Sequence, residues 1–250
     1  MTEKQWNSFC DFKDDFKRKV EEWKLMAPEL TQLQKDAARI AKTPDYPFET
    51  TVVYNRSLDD ITPEDEIKLI VIGDNPGKDE QLSKNNRYLV GQAGKIAEGY
   101  FRKNPELGVD FRKNVIILNK TPVHSAKTAQ LKTIAKQGGE EISRLIQDSQ
   151  RWMAERTAKL HSELGTELWL VGYSELKDKG IFGLYRDTLK TSLSQNLAAW
   201  NRVFVFQHFS MNRFTIDLSD YIKAVKKENA PLESNIHELG VLHRNEIFGA

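Results

Sequence analysis

Leu69-Ile70-Val71-Ile72-Gly73-Asp74-Asn75-Pro76-Gly77 is the stretch that decides how the rest of the chain is read. Four consecutive apolar residues, three of them β-branched, run into glycine, asparagine and proline, which stop a strand and turn the backbone. A continuous apolar run, rather than an alternating one, suits a strand covered on both faces of a parallel sheet. Three further runs have the same character: Val115-Ile116-Ile117-Leu118, Leu168-Trp169-Leu170-Val171 and Val203-Phe204-Val205-Phe206. Between the second and third, Glu140 to Leu164 puts Ile142, Leu145, Ile146, Met153, Leu160 and Leu164 on one helical side, and Gly165 ends the helix. Strands alternating with helices predict an α/β fold. The expected architecture is a three-layer sandwich with a central, mostly parallel four-stranded sheet and right-handed crossovers.

Outward from this core, Trp6, Phe9, Phe12, Phe16, Val20 and Trp23 recur at three- and four-residue steps. They predict a helix or helical pair within residues 1–45, broken at Pro28 and resumed by Leu30, Leu33, Ala37 and Ile40. An aromatic stripe of this spacing is a packing face, so the segment is expected to dock on the main body. Thr50 to Tyr54 reads as a short strand, and residues 229–250 as an irregular tail or a short packing element. No repeat or low-complexity linker interrupts the chain, so residues 1–250 are expected to form a single domain.

Composition narrows the setting. No apolar run approaches the ~20 residues needed to cross a bilayer, and the first thirty residues do not resemble a secretory leader. The single cysteine, Cys10, excludes an intrachain disulfide and any multi-cysteine metal site. A reducing, cytoplasmic location is the expectation. The net charge of +1 comes from 37 basic and 36 acidic residues, yet the charges are segregated. Residues 78–137 hold twelve Lys and Arg against five acids, and the remainder carries the compensating acidic excess. A basic block of this kind can be an electrostatic footprint for nucleic acid or simply a solvated helical surface.

In open parallel sheets, ligands bind beyond the carboxyl ends of the strands. Three of the four predicted strands deliver Asn75, Asn119 and His208 to that rim. A carboxamide held by Gly73, Pro76 and Gly77 can position a water. A second carboxamide can pair with a base edge through one donor and one acceptor. A histidine can donate to a developing anion.

With these residues in view, the chain from about Lys68 to Ile222 resembles the uracil-DNA glycosylase superfamily. Gly73-Asp74-Asn75-Pro76-Gly77 looks like its Asn-Pro-Gly loop, as in the single-strand-selective and mismatch-specific branches. Arg87-Tyr88-Leu89-Val90-Gly91-Gln92-Ala93-Gly94 is similar to the Gly-Arg-Pro-Phe-Val-Gly-Arg-Ala-Gly stretch of the iron–sulfur branches. Ile116-Ile117-Leu118-Asn119 resembles the strand that ends in the base-reading Asn, and His208-Phe209-Ser210 the His-Pro-Ser motif.

The resemblance implies that Asn75 holds the attacking water, Asn119 pairs with the flipped base and His208 hydrogen-bonds the departing base. Leu89 stands where the family usually stacks a Phe, with Tyr88 as the expected replacement. Gly77, where some relatives carry a Tyr that excludes thymine's methyl, leaves room for other damaged bases. Ser210 to Phe214 would form the loop inserted into the helix, with Met211, Arg213 or Phe214 as wedge. Arg87, Lys95, Lys120 and Lys127 are the candidate phosphate contacts. Phe209 in place of proline departs from the pattern, and the single cysteine separates the chain from the iron–sulfur branches.

The resemblance therefore implies a monofunctional DNA repair glycosylase that needs neither metal nor cofactor. It would act on uracil or a related deaminated base, with DNA as its partner. The alternative is a non-catalytic nucleic-acid-binding protein on the same fold. A doubly wound nucleotide enzyme is disfavoured by the lack of a Gly-x-Gly-x-x-Gly or phosphate-loop signature.

Overall fold

The computed structural model describes residues 1–249. Its four strands fall on the four apolar runs: β1 Leu69–Gly73, β2 Val115–Asn119, β3 Glu167–Val171 and β4 Val203–Phe206. They form one sheet in the order β2-β1-β3-β4, and every pairing is parallel. β1 and β2 are buried along their whole length, as unbroken apolar sequence requires when helices cover both faces.

The helices are α1 Glu3–Met26, α2 Leu30–Ile40, α3 Gln92–Lys103, α4 Gln130–Gln137, α5 Gly139–Leu164, α6 Gly183–Leu193, α7 Leu197–Trp200, α8 Arg213–Val225 and α9 Leu232–Phe248. Together with the sheet they make a three-layer α/β sandwich. An aromatic cluster fills one side of it: Trp169 and Phe206 on the sheet meet Phe101 of α3 and Phe214 of α8.

The N-terminal segment is the expected helical pair. A reciprocal capping box between Thr2 and Gln5 starts α1. Phe9, Phe12, Phe16, Val20 and Trp23 are buried, and Trp152 of α5 receives Phe12, Phe16 and Trp23. Each such side chain contributes about 1.5–3 kcal/mol on burial, so α1 belongs to the core.

Two expectations need correction. Residues 229–250 are not an irregular tail: α9 covers 17 of them and packs along β4, where Gly240 lets it approach Phe204 and Phe206 closely. Thr50 to Tyr54 forms only an isolated antiparallel bridge, Val52 to Val123. Val53 N–H donates to Pro122 O and His124 N–H to Thr51 O, but Pro122 has no N–H with which to extend the ladder.

Candidate functional site

The carboxyl ends of the strands surround a cavity of about 790 Å³, lined among others by Asp74, Asn75, Gly77, Leu89, Asn119 and His208. The three side chains expected to carry the chemistry thus share one wall-to-wall space. Each presents a different hydrogen-bonding face to it.

Asn75 sits in the turn after β1. Its Nδ2 donates to Ser125 O at 3.1 Å and Ser125 Oγ at 2.9 Å. With the amide nitrogen tied back, Oδ1 has no protein partner among the described residues and is free to accept from a water. His124 fixes the same turn from behind. Its Nδ1–H donates to Pro76 O at 2.8 Å, which leaves Nε2 to accept from the Tyr46 hydroxyl at 3.0 Å. Burial holds the His124 imidazole down to about 4, so it is neutral in this relay.

Asn119 ends β2 directly opposite Gly73 in the register. Any side chain at Gly73 would collide with Asn119 Oδ1, so glycine there is what lets the carboxamide lie across the neighbouring strand. Asn119 is 2% exposed and its Nδ2 has no partner. A buried, unpaired donor costs about 1–3 kcal/mol, and the residue that carries it lines the cavity.

His208 follows β4. Its Nδ1 accepts from the Ser210 backbone N–H at 3.1 Å and the Ser210 hydroxyl at 2.8 Å. The ring proton is therefore on Nε2. Burial lowers the His208 pKa, with the Asp74 carboxylate opposing and the Lys120 ammonium reinforcing that direction. The outcome is a neutral imidazole whose Nε2–H is a donor.

Phe209 restores what proline would supply at the next position. Its φ is −65°, the angle a proline ring imposes. Its ring is locked by burial against Phe111 and Phe214.

The cavity also contains a clamp. Glu80 is buried, and its two carboxylate oxygens accept from Gly77 N at 3.1 Å and Leu89 N at 2.9 Å. It thereby joins the Asn-Pro-Gly turn to the Leu89 segment. Burial outweighs those hydrogen bonds and raises its carboxyl to about 7.

Leu89 adopts a left-handed backbone, φ 50°, and lies so close to Gly94 that a Cβ there would strike its carbonyl. This conformation directs Leu89 to the cavity and Tyr88 away from it. Tyr88 is fully buried and donates to Val53 O at 2.6 Å, so it is not the stacking residue. Among the described residues no Phe, Tyr or Trp lines the cavity.

The remaining candidates divide. Gly77, Ser210, Met211, Arg213 and Lys127 line the cavity. A Cβ on Gly77 would meet nothing within 4 Å, so the cavity is open at that point. Met211 is 78% exposed on a left-handed turn, φ 52°, the geometry of a projecting wedge. Phe214 is buried in the aromatic cluster and cannot serve as one.

Lys120 is no phosphate contact. It has no exposed side-chain surface, and its ammonium donates to Asp74 Oδ1 and Val171 O, both at 2.6 Å, and to Gly73 O at 3.3 Å. Arg87 is paired with Asp60 at 2.7 Å beside a different cavity. Lys95 is exposed on α3 outside the cavity wall.

Sequence reasoning did not single out Asp74, Glu80, Ser125, Glu175 or Gln207, all in the wall. The strand-end rule would have reached Asp74 and Gln207, which directly follow β1 and β4. Glu80 and Ser125 carry no such signal. One group of side chains with metal-ligating atoms, Glu167, Glu233 and His237, lies at the opposite end of the sheet. There His237 Nε2 and Glu167 Oε1 already satisfy each other at 2.6 Å.

No family model, curated protein or solved structure matches the chain.

Proposed function

We propose that the protein hydrolyses the N-glycosidic bond of uracil or a related deaminated base in DNA. The observation that carries this reading is that three residues with a polar atom lacking a protein partner line one cavity: Asn75 with its Oδ1 acceptor, Asn119 with its buried Nδ2 donor and His208 with its Nε2–H donor. The ordered motif resemblance supports it as well.

In the proposed reaction the target nucleotide leaves the stack, which costs a few kcal/mol and least in single strands or mismatches. Asn119 pairs with the base, its Nδ2 donating to a carbonyl oxygen. The bond from the sugar carbon to the base nitrogen breaks, and the electron pair departs with the base. His208 Nε2–H donates to the oxygen on which that charge grows, an interaction stronger in the transition state than in the substrate. A water held on Asn75 Oδ1 bonds to the sugar carbon and releases its proton to solvent. Met211 enters the gap left in the stack.

The alternative is a non-catalytic nucleic-acid-binding protein on the same fold. The absence of Phe, Tyr and Trp from the cavity wall among the described residues favours it, since a flipped base would lack the stacking partner those rings provide.

Incubation with single- and double-stranded oligonucleotides containing uracil, hypoxanthine or xanthine, followed by alkali cleavage, separates the two. Excision is expected, and an intact backbone with the whole panel supports the alternative. Asn119→Asp should weaken action on uracil and favour cytosine, because a carboxylate only accepts and cytosine presents an amino donor. Unchanged base preference would remove Asn119 from recognition.

A further inference from the structure

The walls of the cavity continue into a second depression. The first turn of α3 contributes Gln92 and Ala93 to the cavity, and the rest of that helix lines a groove of about 770 Å³. α8 does the same: Arg213 faces the cavity, while later residues of the helix face the groove. The turn between them divides likewise, with Met211 on the cavity and Asn212 on the groove.

Four cations, Lys95, Arg102, Lys103 and Lys223, line this groove together with a single acid, Glu228. Lys68, Arg87, Arg112 and Lys120 each have a carboxylate partner, whereas the cavity cations Lys78, Lys127 and Arg213 are unpaired among the described residues but share their wall with four acids. None of the four groove cations has a carboxylate partner among the described residues. The floor is apolar, formed by Ile96, Leu218 and Ile222, and the wall holds the Tyr100 hydroxyl, buried without a hydrogen-bond partner. The cavity has the opposite balance: Asp74, Asp79, Glu80 and Glu175 accompany its cations. The excess of positive charge among the lining residues therefore lies in the groove, four cations to one acid, against three cations to four acids in the cavity.

We propose that the groove between α3 and α8 carries the strand of DNA that flanks the nucleotide held in the cavity. Its phosphates lie on the four cations, and its sugars and bases lie over the apolar floor. From Lys95 to Lys103 the helix rises about 12 Å, which spans about three nucleotides at a rise of ~3.4 Å each. This assignment rests on the cavity being a base-binding site, and it names the surface that holds the rest of the strand.

The test is binding of a labelled, uracil-free single-stranded DNA of about 15 nucleotides, followed by fluorescence anisotropy across roughly 50–200 mM salt. Wild type is compared with Lys95→Ala/Arg102→Ala/Lys103→Ala. A control, Lys136→Ala/Arg144→Ala/Arg151→Ala, removes the same charge from α4 and α5. Each phosphate contact on a single strand contributes about 0.7 to the slope of log affinity against log salt. The groove variant should bind more weakly with a slope shallower by about 2, while the control keeps the wild-type slope. Equal slopes in all three proteins, equal losses in both variants, or no binding by wild type would overturn the proposal.

The probe contains no uracil, so the outcome is independent of base release. A groove-specific loss of slope without excision of any base overturns the excision reading and keeps the groove. Excision with no difference in slope overturns the groove and keeps excision.

Discussion

At the amino end of the sheet, the exposed and half-buried polar groups pair with one another, although Thr166 Oγ1 and Arg244 Nε are buried there without a partner. Trp169 Nε1 donates to Glu167 Oε2 at 2.8 Å, and His237 pairs with the other Glu167 oxygen. Lys68 donates to Gly108 O, and Asn114 Nδ2 to Glu66 O. At the carboxyl end, the same strands deliver an unpaired Asn119 amide, an open Asn75 oxygen and a neutral His208 with its donor exposed to the cavity. Beneath them Lys120 is fully engaged, its three protons spent on Asp74, Val171 and Gly73. The carboxyl end combines a rigid support with three groups that have no protein partner and line one cavity.

The largest expected effect comes from that support. Lys120→Met leaves the Asp74 carboxylate without its partner and should destabilise the fold by about 3–5 kcal/mol, the usual cost of breaking a buried ion pair. Urea denaturation measures it. Lys120→Met/Asp74→Asn should recover a large part of the loss, because no uncompensated charge then remains. A double variant as unstable as the single one would show that Lys120 acts through packing rather than through the pair.

Next comes the clamp. The folded-state pKa of Glu80 is raised to about 7 from an ordinary carboxylate value of 4.5. Between those pH values the folded state holds the proton more tightly than the unfolded state. The contribution is therefore present at low pH and is lost as pH rises through about 7. Its size is on the order of 3 kcal/mol at ~1.4 kcal/mol per pH unit. The difference in unfolding free energy between wild type and Glu80→Gln, followed from pH 4.5 to 7.5, should show this decline. A flat difference would mean that Glu80 is ionised throughout.

The smallest effect belongs to the amino end. His237→Gln removes a half-exposed pair and should cost less than about 1 kcal/mol, with base excision unaffected. A loss of excision in that variant would break the contrast between the two ends.

How much of this was legible from the residues differs element by element. The strands were, because runs such as Ile70-Val71-Ile72 have no polar side chain to spare for either face. Their ends were as well, because each apolar run stops at glycine or a polar residue, and Asn75, Asn119 and His208 lie at or just beyond those stops. α9 was hidden because its buried side includes Asn235, His243 and Arg244, which blurs an apolar stripe. Tyr88 and Leu89 could not be told apart as cavity residues, since the left-handed turn at Leu89 decides which one faces inward. Lys120 looked like a phosphate ligand because sequence shows charge but not the Asp74 carboxylate waiting beneath it. The twelve cations of residues 78–137 likewise separate only in three dimensions. Some are buried or ion-paired, and three of them stand free along α3 in the groove beside the cavity.

The central claim is that the open groups at the carboxyl end break a glycosidic bond. The most direct measurement is the amount of free base released from a uracil-containing oligonucleotide, quantified by chromatography, for wild type and for His208→Ala. Wild type should release uracil. His208→Ala should retain its fold and release it ~10²–10³-fold more slowly, the usual consequence of removing one donor from a developing anion. Equal rates in the two proteins, or no release of any base by wild type, would contradict the account.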